Sequence, residues 1–579
     1  MSEEEKLDHP FNVDQQQWLS GFFAGANTRL LKTSDSSAPA TRPLTVLFGT
    51  QTGNAETIGE NIEAMAGDYG LTATLLDMDD IEIEALADIE RLLVICSTYG
   101  EGEMPDNAEI LWEALSEDDA PKLDKVNFSI LALGDKSYDD YCKAGIDWDA
   151  RLAELGANRV TDRVDCDVDF EDDADKWCIA ALEAIKDTGS APEAGATPTA
   201  PKAAPKPKAK PEFDRKNPFP ATILVNKLIS GKNSSKEIVH YELDLAGSGL
   251  SYEAGDALNI VAQNDPELVN LTLAHLGLSG DELIDDVKLS AALRFTYDIK
   301  LPTGPFLDAV AAHSGDDELN RLLENNDREA LNDYLWGRDV LDFIIDQKVT
   351  FGADEFVNLL RKLQPRAYSI SSSAKAHKDE VHLTISSVRY QSFDRKHEGI
   401  ASCYLADRVG ENDKVGVYFS PNKAFRVPEN GDMPIIMVGP GTGIAPFRAF
   451  LEERVATEAK GDNWLFFGDR KAEDDYIYQD EIEAWQKSGI LTKLDLAFSR
   501  DQKDKIYVQT RMKQAGAELF NWLERGGYFY VCGDATHMAK DVDQTLQDII
   551  AEHGKLDAAG VKAYMNGLKK AKRYVRDVY

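Results

Sequence analysis

Residues 189–211 read GSAPEAGATPTAPKAAPKPKAKP. A stretch of proline, alanine and lysine cannot bury enough apolar surface to offset the entropy of ordering itself. It predicts a semi-extended linker over 188–216 and a local basic strip. The chain has 579 residues, too long for one ordinary domain, so the linker separates units that fold on their own cores.

Before the linker, over 43–187, the pattern alternates buried strand, polar loop and helix. Leu44–Phe48, Leu92–Cys96 and Phe128–Leu133 are short unbroken apolar runs, the mark of strands buried on both faces of a parallel sheet. After it, 217–430 opens on the strand pattern Ala221–Val225. This unit turns helical with acidic turns over about 266–363, then returns to strands at Arg366–Ser373 and Val381–Tyr390. A second α/β unit, 431–579, begins with Pro434–Val438. The expected fold class is α/β multidomain: a doubly wound parallel domain, an antiparallel β unit with a helical insert, and a second parallel domain. Residues 1–42 form a tail. In it Gln17-Trp18-Leu19-Ser20-Gly21-Phe22-Phe23 is an apolar patch that needs a cover, either its own domain or an oligomerisation or docking partner.

With 63 basic against 102 acidic residues the net charge is −39. Such a field repels nucleic acid and anionic membranes, and it either suits a basic protein patch or serves solubility alone. The six cysteines contain no C-x-x-C pair, so neither a metal site nor a disulfide framework is indicated, and a reducing cytoplasm fits. MSEEEKLDHPF lacks a basic, apolar signal, and no run approaches the roughly 20 apolar residues of a membrane span.

Three loops follow the strands of the first unit. Thr50-Gln51-Thr52-Gly53-Asn54-Ala55 opens a helix with small residues and no lysine, which suits a monophosphate held by backbone N–H groups. Ser97-Thr98-Tyr99-Gly100 and Gly134-Asp135-Lys136-Ser137-Tyr138 follow the next two strands. In an open parallel sheet such loops converge, and Tyr99 and Tyr138 offer two faces for a flat ring. In the second unit, Arg366-Ala367-Tyr368-Ser369 combines an anion clamp, a stacking ring and a hydroxyl, and Gly399-Ile400-Ala401-Ser402 precedes a helix as a second anion seat. In the third, Gly439-Pro440-Gly441-Thr442-Gly443 lets a backbone approach a pyrophosphate. Ser499, Arg500, Lys505, Tyr507 and Gln509 supply cations, donors and a ring suited to a 2′-phosphate and adenine, favouring NADPH over NADH.

These motifs, in this order, resemble the NADPH-dependent diflavin reductases: a flavodoxin-like domain, an FAD-binding antiparallel β-barrel with a helical connecting insert, and a ferredoxin–NADP-reductase-like domain. Four stretches (17–23, 147–165, 464–468 with 491–509, and 573–579) are most similar to the flavoprotein (alpha) subunit of bacterial assimilatory sulfite reductase. The resemblance implies FMN on Thr50–Ala55, Ser97–Gly100 and Leu133–Cys142, including Leu133, Gly134, Asp135, Tyr138, Tyr141 and Cys142. It implies FAD on Arg366–Ser369, Thr384, Ile385, Ser386, Tyr390 and Gly399–Ser402. It implies NADPH on Gly441, Thr442, the Ser499–Gln509 segment and Asp541. Ser369, Cys532, Asp577 and the terminal Tyr579, which would stack over FAD and swing aside for nicotinamide, make the hydride-transfer setting. The implied electron path runs from NADPH to FAD, FMN and a separate haemoprotein with sirohaem and an iron–sulfur cluster. The chain itself has no cluster-type cysteine spacing. A soluble reductase for another haem or nitrate reductase partner is the second reading. A flavin carrier without its own NADPH reaction is the third. Tyr99 departs from the glutamine frequent in sulfite-reductase flavoproteins.

Overall fold

The computed structural model describes residues 41–100, 102–136, 140–190, 212–315, 317–325 and 328–579. The apolar tail patch, residues 191–211 of the linker and Tyr138 lie outside the described residues.

The first unit is a parallel sheet. Its strands are β1 (Arg42–Gly49), β2 (Leu71–Asp77), β3 (Arg91–Ser97), β4 (Asn127–Leu133), β5 (Asn158–Arg159) and β6 (Val164–Cys166). The order is β2-β1-β3-β4-β5, with β6 also on β4. Helices cover both faces: α1 (Asn54–Ala66) and α4 (Glu171–Ile185) on one, α2 (Glu109–Ser116) and α3 (Lys143–Glu154) on the other. Strand β3 is apolar without alternation because both faces are buried: Leu93 and Ile95 point into one core, Leu92 and Val94 into the other.

The second unit is a six-stranded antiparallel sheet. Its strands are β7 (Phe219–Leu228), β8 (Glu237–Asp244), β9 (Ala257–Val261), β10 (Arg366–Ser369), β11 (Glu380–Ser387) and β12 (Lys414–Ser420), in the order β10-β9-β12-β7-β8-β11. A bridge between Ile370 and Leu383 links the two edge strands, so the sheet curls back on itself. Helices from Pro266–Leu276 to Ala353–Asn358 form a separate core beside it. The run expected as one strand to Tyr390 is broken at Val388. There the amide of Val388 donates to Ser402 Oγ and its carbonyl accepts from the Gly399 amide, turning the chain into the helix α5 (Ile400–Arg408). The run expected to Ser373 leaves the sheet after Ser369.

The third unit is again parallel: β13 (Ile435–Val438), β14 (Asn463–Asp469), β15 (Lys493–Phe498), β16 (Tyr528–Gly533) and β17 (Tyr574–Val578), in the order β15-β14-β13-β16-β17. Helix α6 (Ala445–Ala456) follows β13 and joins this unit to the second. Arg448, only 6% exposed, donates to the Ser371 carbonyl at 2.6 Å, and Glu452 accepts from the Ser373 amide at 2.9 Å. The Tyr478 hydroxyl bridges His240 Nδ1 and Thr384 Oγ1 at 2.8 and 2.6 Å, with the Arg448 guanidinium over its ring. Lys227, His377, Glu242, Glu380 and Glu481 surround this joint.

Burial, with Arg448 alongside, pushes His240 down to about 3 and His382 down to about 2. Both rings are neutral in the fold and protonate near 6.5 when unfolded. Their contribution is therefore intact above pH 6.5 and is lost as pH falls from there towards 3, by up to about 1.4 kcal/mol per pH unit per histidine. Unfolding of the full chain, followed between pH 7.5 and 5, is expected to show a falling stability that is less steep in His382→Gln. Equal slopes would contradict this account.

Candidate functional site

In each unit the candidate ligand loops gather at strand ends, against a helix start that no side chain caps. Gly53 begins α1 in the left-handed region, φ 84°. Thr50 folds back so that its Oγ1 accepts from the Gly53 amide at 2.9 Å, while its own amide donates to Asn107 Oδ1. The N–H groups of the first turn around Asn54 and Ala55 have no capping side chain, as an anion seat requires. Because β1, β3 and β4 are adjacent, Thr50–Ala55, Ser97–Gly100 and Leu133–Cys142 share one edge of the sheet. Thr98 ties the last two together: its amide donates to the Leu133 carbonyl, and its hydroxyl accepts from the Ala144 amide. Gln51 accepts from the Asp106 amide. Gly134 leaves no room for a side chain, since a Cβ there would lie 2.7 Å from the Cys142 amide nitrogen. Cys142 is buried, and Tyr141 donates to the Asp165 carbonyl.

In the second unit, Arg366, Ala367, Tyr368 and Ser369 form edge strand β10. Arg366 faces Asp298 at 3.6 Å, and burial pushes the Tyr368 phenol up to about 12. The amide of Gly399 is taken by Val388, and α5 starts without a side-chain cap, with Ala401 and Ser402 buried. A cavity of about 250 Å³ opens beside Gly399 and Ile400, lined by Lys300, Arg395, Lys396 and Arg408 together with Asp265, Glu267 and Glu398. Each of the four cations is paired with a carboxylate, Lys300 and Arg395 with Asp339, Lys396 with Glu398 and Arg408 with Asp265, and the sequence reading missed them because they come from separate elements. Tyr390 stays half exposed, with its inner face stacked on the buried His397 ring at 5.0 Å and 8°. Of Thr384, Ile385 and Ser386, Ile385 points into the sheet core and Thr384 is engaged with Tyr478.

The third unit presents its candidates in strand order. Ser499 and Arg500 follow β15, Gly441 and Thr442 follow β13, Cys532 ends β16, and Asp577 and Tyr579 lie on β17 and just beyond it. Arg500, Lys505 and Tyr507 are exposed, and Gln509 donates to Asp541 at 3.0 Å. Gly443 is held so tightly that a Cβ would lie 2.1 Å from the Cys532 carbonyl oxygen.

The units meet at one cluster. Ser369 Oγ from β10 donates to Asp577 Oδ2 at 2.6 Å, and Cys532 Sγ approaches the same oxygen at 3.7 Å. Burial raises the Asp577 carboxyl, opposed by those two hydrogen bonds, and raises the Cys532 thiol well above its ordinary value. The Tyr579 hydroxyl lies 3.1 Å from Thr442 Oγ1.

The first unit is docked on the other two by pairs of one polarity. Its carboxylates Asp77, Glu82, Asp106, Glu109, Glu56 and Asp135 meet Lys572, Lys570, Arg576, Lys569, Lys423 and Arg361, respectively. Tyr99 adds a hydrogen bond to the Val578 carbonyl at 3.2 Å. Gly53 also faces this interface, where an added Cβ would lie 2.6 Å from the Pro421 carbonyl oxygen.

Comparison with known proteins agrees with this division. Family models match at 46–180 (flavodoxin), 211–404 (FAD binding domain) and 437–544 (oxidoreductase NAD-binding domain). The chain is 42% identical to a sulfite reductase (NADPH) flavoprotein alpha-component of Bacillus subtilis, covering 99% of both proteins. It is 41% identical to that of Vibrio parahaemolyticus over 98% of this chain and 92% of the relative, and 39% identical to that of Escherichia coli O9:H4 over 98% and 95%. The chain belongs to the family of sulfite reductase NADPH flavoprotein alpha-components.

Proposed function

We propose that this chain takes hydride from NADPH and delivers single electrons to the sirohaem subunit of a sulfite reductase, for reduction of sulfite to sulfide. The acceptor follows the names of the relatives. The observation that carries the reductase chemistry is the Ser369–Asp577–Cys532 cluster, where the FAD-type strand and the NADPH-type sheet share one half-buried carboxylate. When bound, FAD and FMN supply the conversion of a two-electron donor into one-electron steps.

The residues orient and exclude. Thr50–Ala55 offers the FMN phosphate a helix start, with Ser97–Gly100 and Leu133–Cys142 along the ring. Gly399–Ser402, Arg366 and the cations around them hold the FAD pyrophosphate, and Tyr368 and Tyr390 take its rings. Gly441 and Thr442 let the NADPH backbone approach, and Arg500 and Lys505 read its 2′-phosphate. Asp577, half-buried against Ser369, fixes that hydroxyl by accepting its hydrogen bond. Tyr579, 64% exposed and tied to Thr442 by one long bond, is the part that yields to nicotinamide. The linker lets the FMN domain leave its docked position for the acceptor, and the tail patch serves oligomerisation or docking. All six cysteines are free, which suits a reducing cytoplasm.

NADPH added to the purified protein is expected to bleach the flavin absorbance, and adding sirohaem subunit and sulfite should yield sulfide. Bleaching without sulfide would assign another acceptor. No bleaching would overturn the reductase reading. Arg500→Glu should weaken NADPH ten- to a hundredfold, in line with about 1.5–3 kcal/mol for a charged hydrogen bond, and leave NADH nearly unchanged in steady-state assays. An unaltered preference would remove Arg500 from the 2′-phosphate. Surface ion pairs are screened by salt. Raising ionic strength should therefore expand the molecule in small-angle scattering and slow FMN reduction while sparing FAD reduction. A salt-independent radius would contradict docking by charge.

A further inference from the structure

Asp469 ends β14, between the Ser499–Arg500 segment on β15 and the glycine loop on β13. Its side chain is 1% exposed. One carboxylate oxygen, Oδ1, is satisfied: Lys236 Nζ lies 2.6 Å away, and the Arg470 amide donates at 2.8 Å. The other, Oδ2, is buried with no hydrogen-bond partner. A buried charged acceptor left unpaired is costly, and such atoms in a binding cleft call for a donor from outside the protein. Oδ2 is aimed at the nucleotide loop, 3.6 Å from where a Cβ on Gly441 would sit, with Lys236 Nζ 3.5 Å from the same point.

The surroundings hold the carboxylate rigid. The Asp469 carbonyl accepts from the Ser499 amide at 2.9 Å, which fixes it against the proposed 2′-phosphate segment. The next residues are tied to the second unit, with Arg470 on Ser235 and the Gly231 amide on the Asp474 carbonyl. Lys236 comes from that unit, so its charge offsets the carboxylate beside an anionic ligand.

We propose that Asp469 Oδ2 accepts a hydrogen bond from a hydroxyl of the NADPH adenosine ribose. This rests on the NADPH reading of the same site. A dinucleotide laid across the strand ends, from the 2′-phosphate at β15 to the nicotinamide at β16, passes its adenosine ribose over β14. The 2′ position carries phosphate in NADPH, so the donor is the 3′-hydroxyl. Asp469 is then a binding residue for the ribose, and Lys236 keeps its charge from repelling the phosphates.

The test is calorimetric titration of the full flavin-loaded chain with 2′,5′-ADP and with its 3′-deoxy counterpart. The wild type is expected to bind the deoxy ligand about tenfold more weakly, the loss of one charged hydrogen bond. Asp469→Ala should bind both equally, at the weaker level, and Asp469→Asn, which keeps an acceptor oxygen, should restore part of the difference. Equal binding of the two ligands by the wild type overturns the inference and leaves the NADPH reading standing. So does a tenfold difference that survives in Asp469→Ala. If the wild type binds neither ligand, the NADPH reading itself fails.

Discussion

The pairing of the last strand with its neighbour sets where the three units meet. Tyr574–Val578 lies parallel to Tyr528–Gly533, with Cys532 opposite Asp577 and Gly533 opposite Val578. The terminal residue is held as well: the Tyr579 amide donates to Gly533, and its carbonyl accepts from Ala535. Successive side chains of a strand point to opposite faces. Asp577 therefore faces Ser369 and Cys532, while Arg576 faces Asp106 and Glu109 of the first unit. One strand of five residues thus positions the proposed hydride setting on one side and the docked flavodoxin-like unit on the other.

Charge separates along the same boundary. The chain carries a net −39, yet the surface facing the first unit is lined with lysine and arginine. Singly, exposed pairs of this kind contribute little. Together they orient an approach and remain reversible, which suits a unit that has to leave. The joint between the second and third units is of another kind. Arg448, Glu452, His240 and Tyr478 are buried and hydrogen-bonded there, so that joint is rigid where the first is labile.

Much of the fold was legible in the sequence, and the proposed phosphate loops could be picked out because they are local. Thr50–Ala55, Gly399–Ser402 and Gly439–Gly443 each lie where a strand or turn meets a helix, and contiguous residues suffice to show it. The segment unable to bury anything marked off the first unit, and the return of an unbroken apolar run at Pro434–Val438 marked the start of the third. What could not be read were contacts made across the chain. Lys300 and Arg395 come from different elements before they line one cavity, and Asp469 meets Lys236 across 233 residues. The Lys569–Arg576 run was a signal: so dense a basic stretch in an acidic protein marks a face that meets carboxylates. The break at Val388 shows in the sequence only as a shift of phase, from Val381, Leu383 and Ile385 to Val388 and Tyr390, and the bonds that fix it come from Gly399 and Ser402, ten or more positions on.

Gly53 shows how such a chain is constrained over evolution. Its left-handed backbone starts the helix proposed to hold a phosphate, and asparagine or aspartate could adopt that conformation at moderate cost. The Pro421 carbonyl, 2.6 Å from any Cβ placed there, refuses even these. Selection at this position acts from two directions, one inside the unit and one from its neighbour. A homologous unit that never docked would be free to drift where this one is not.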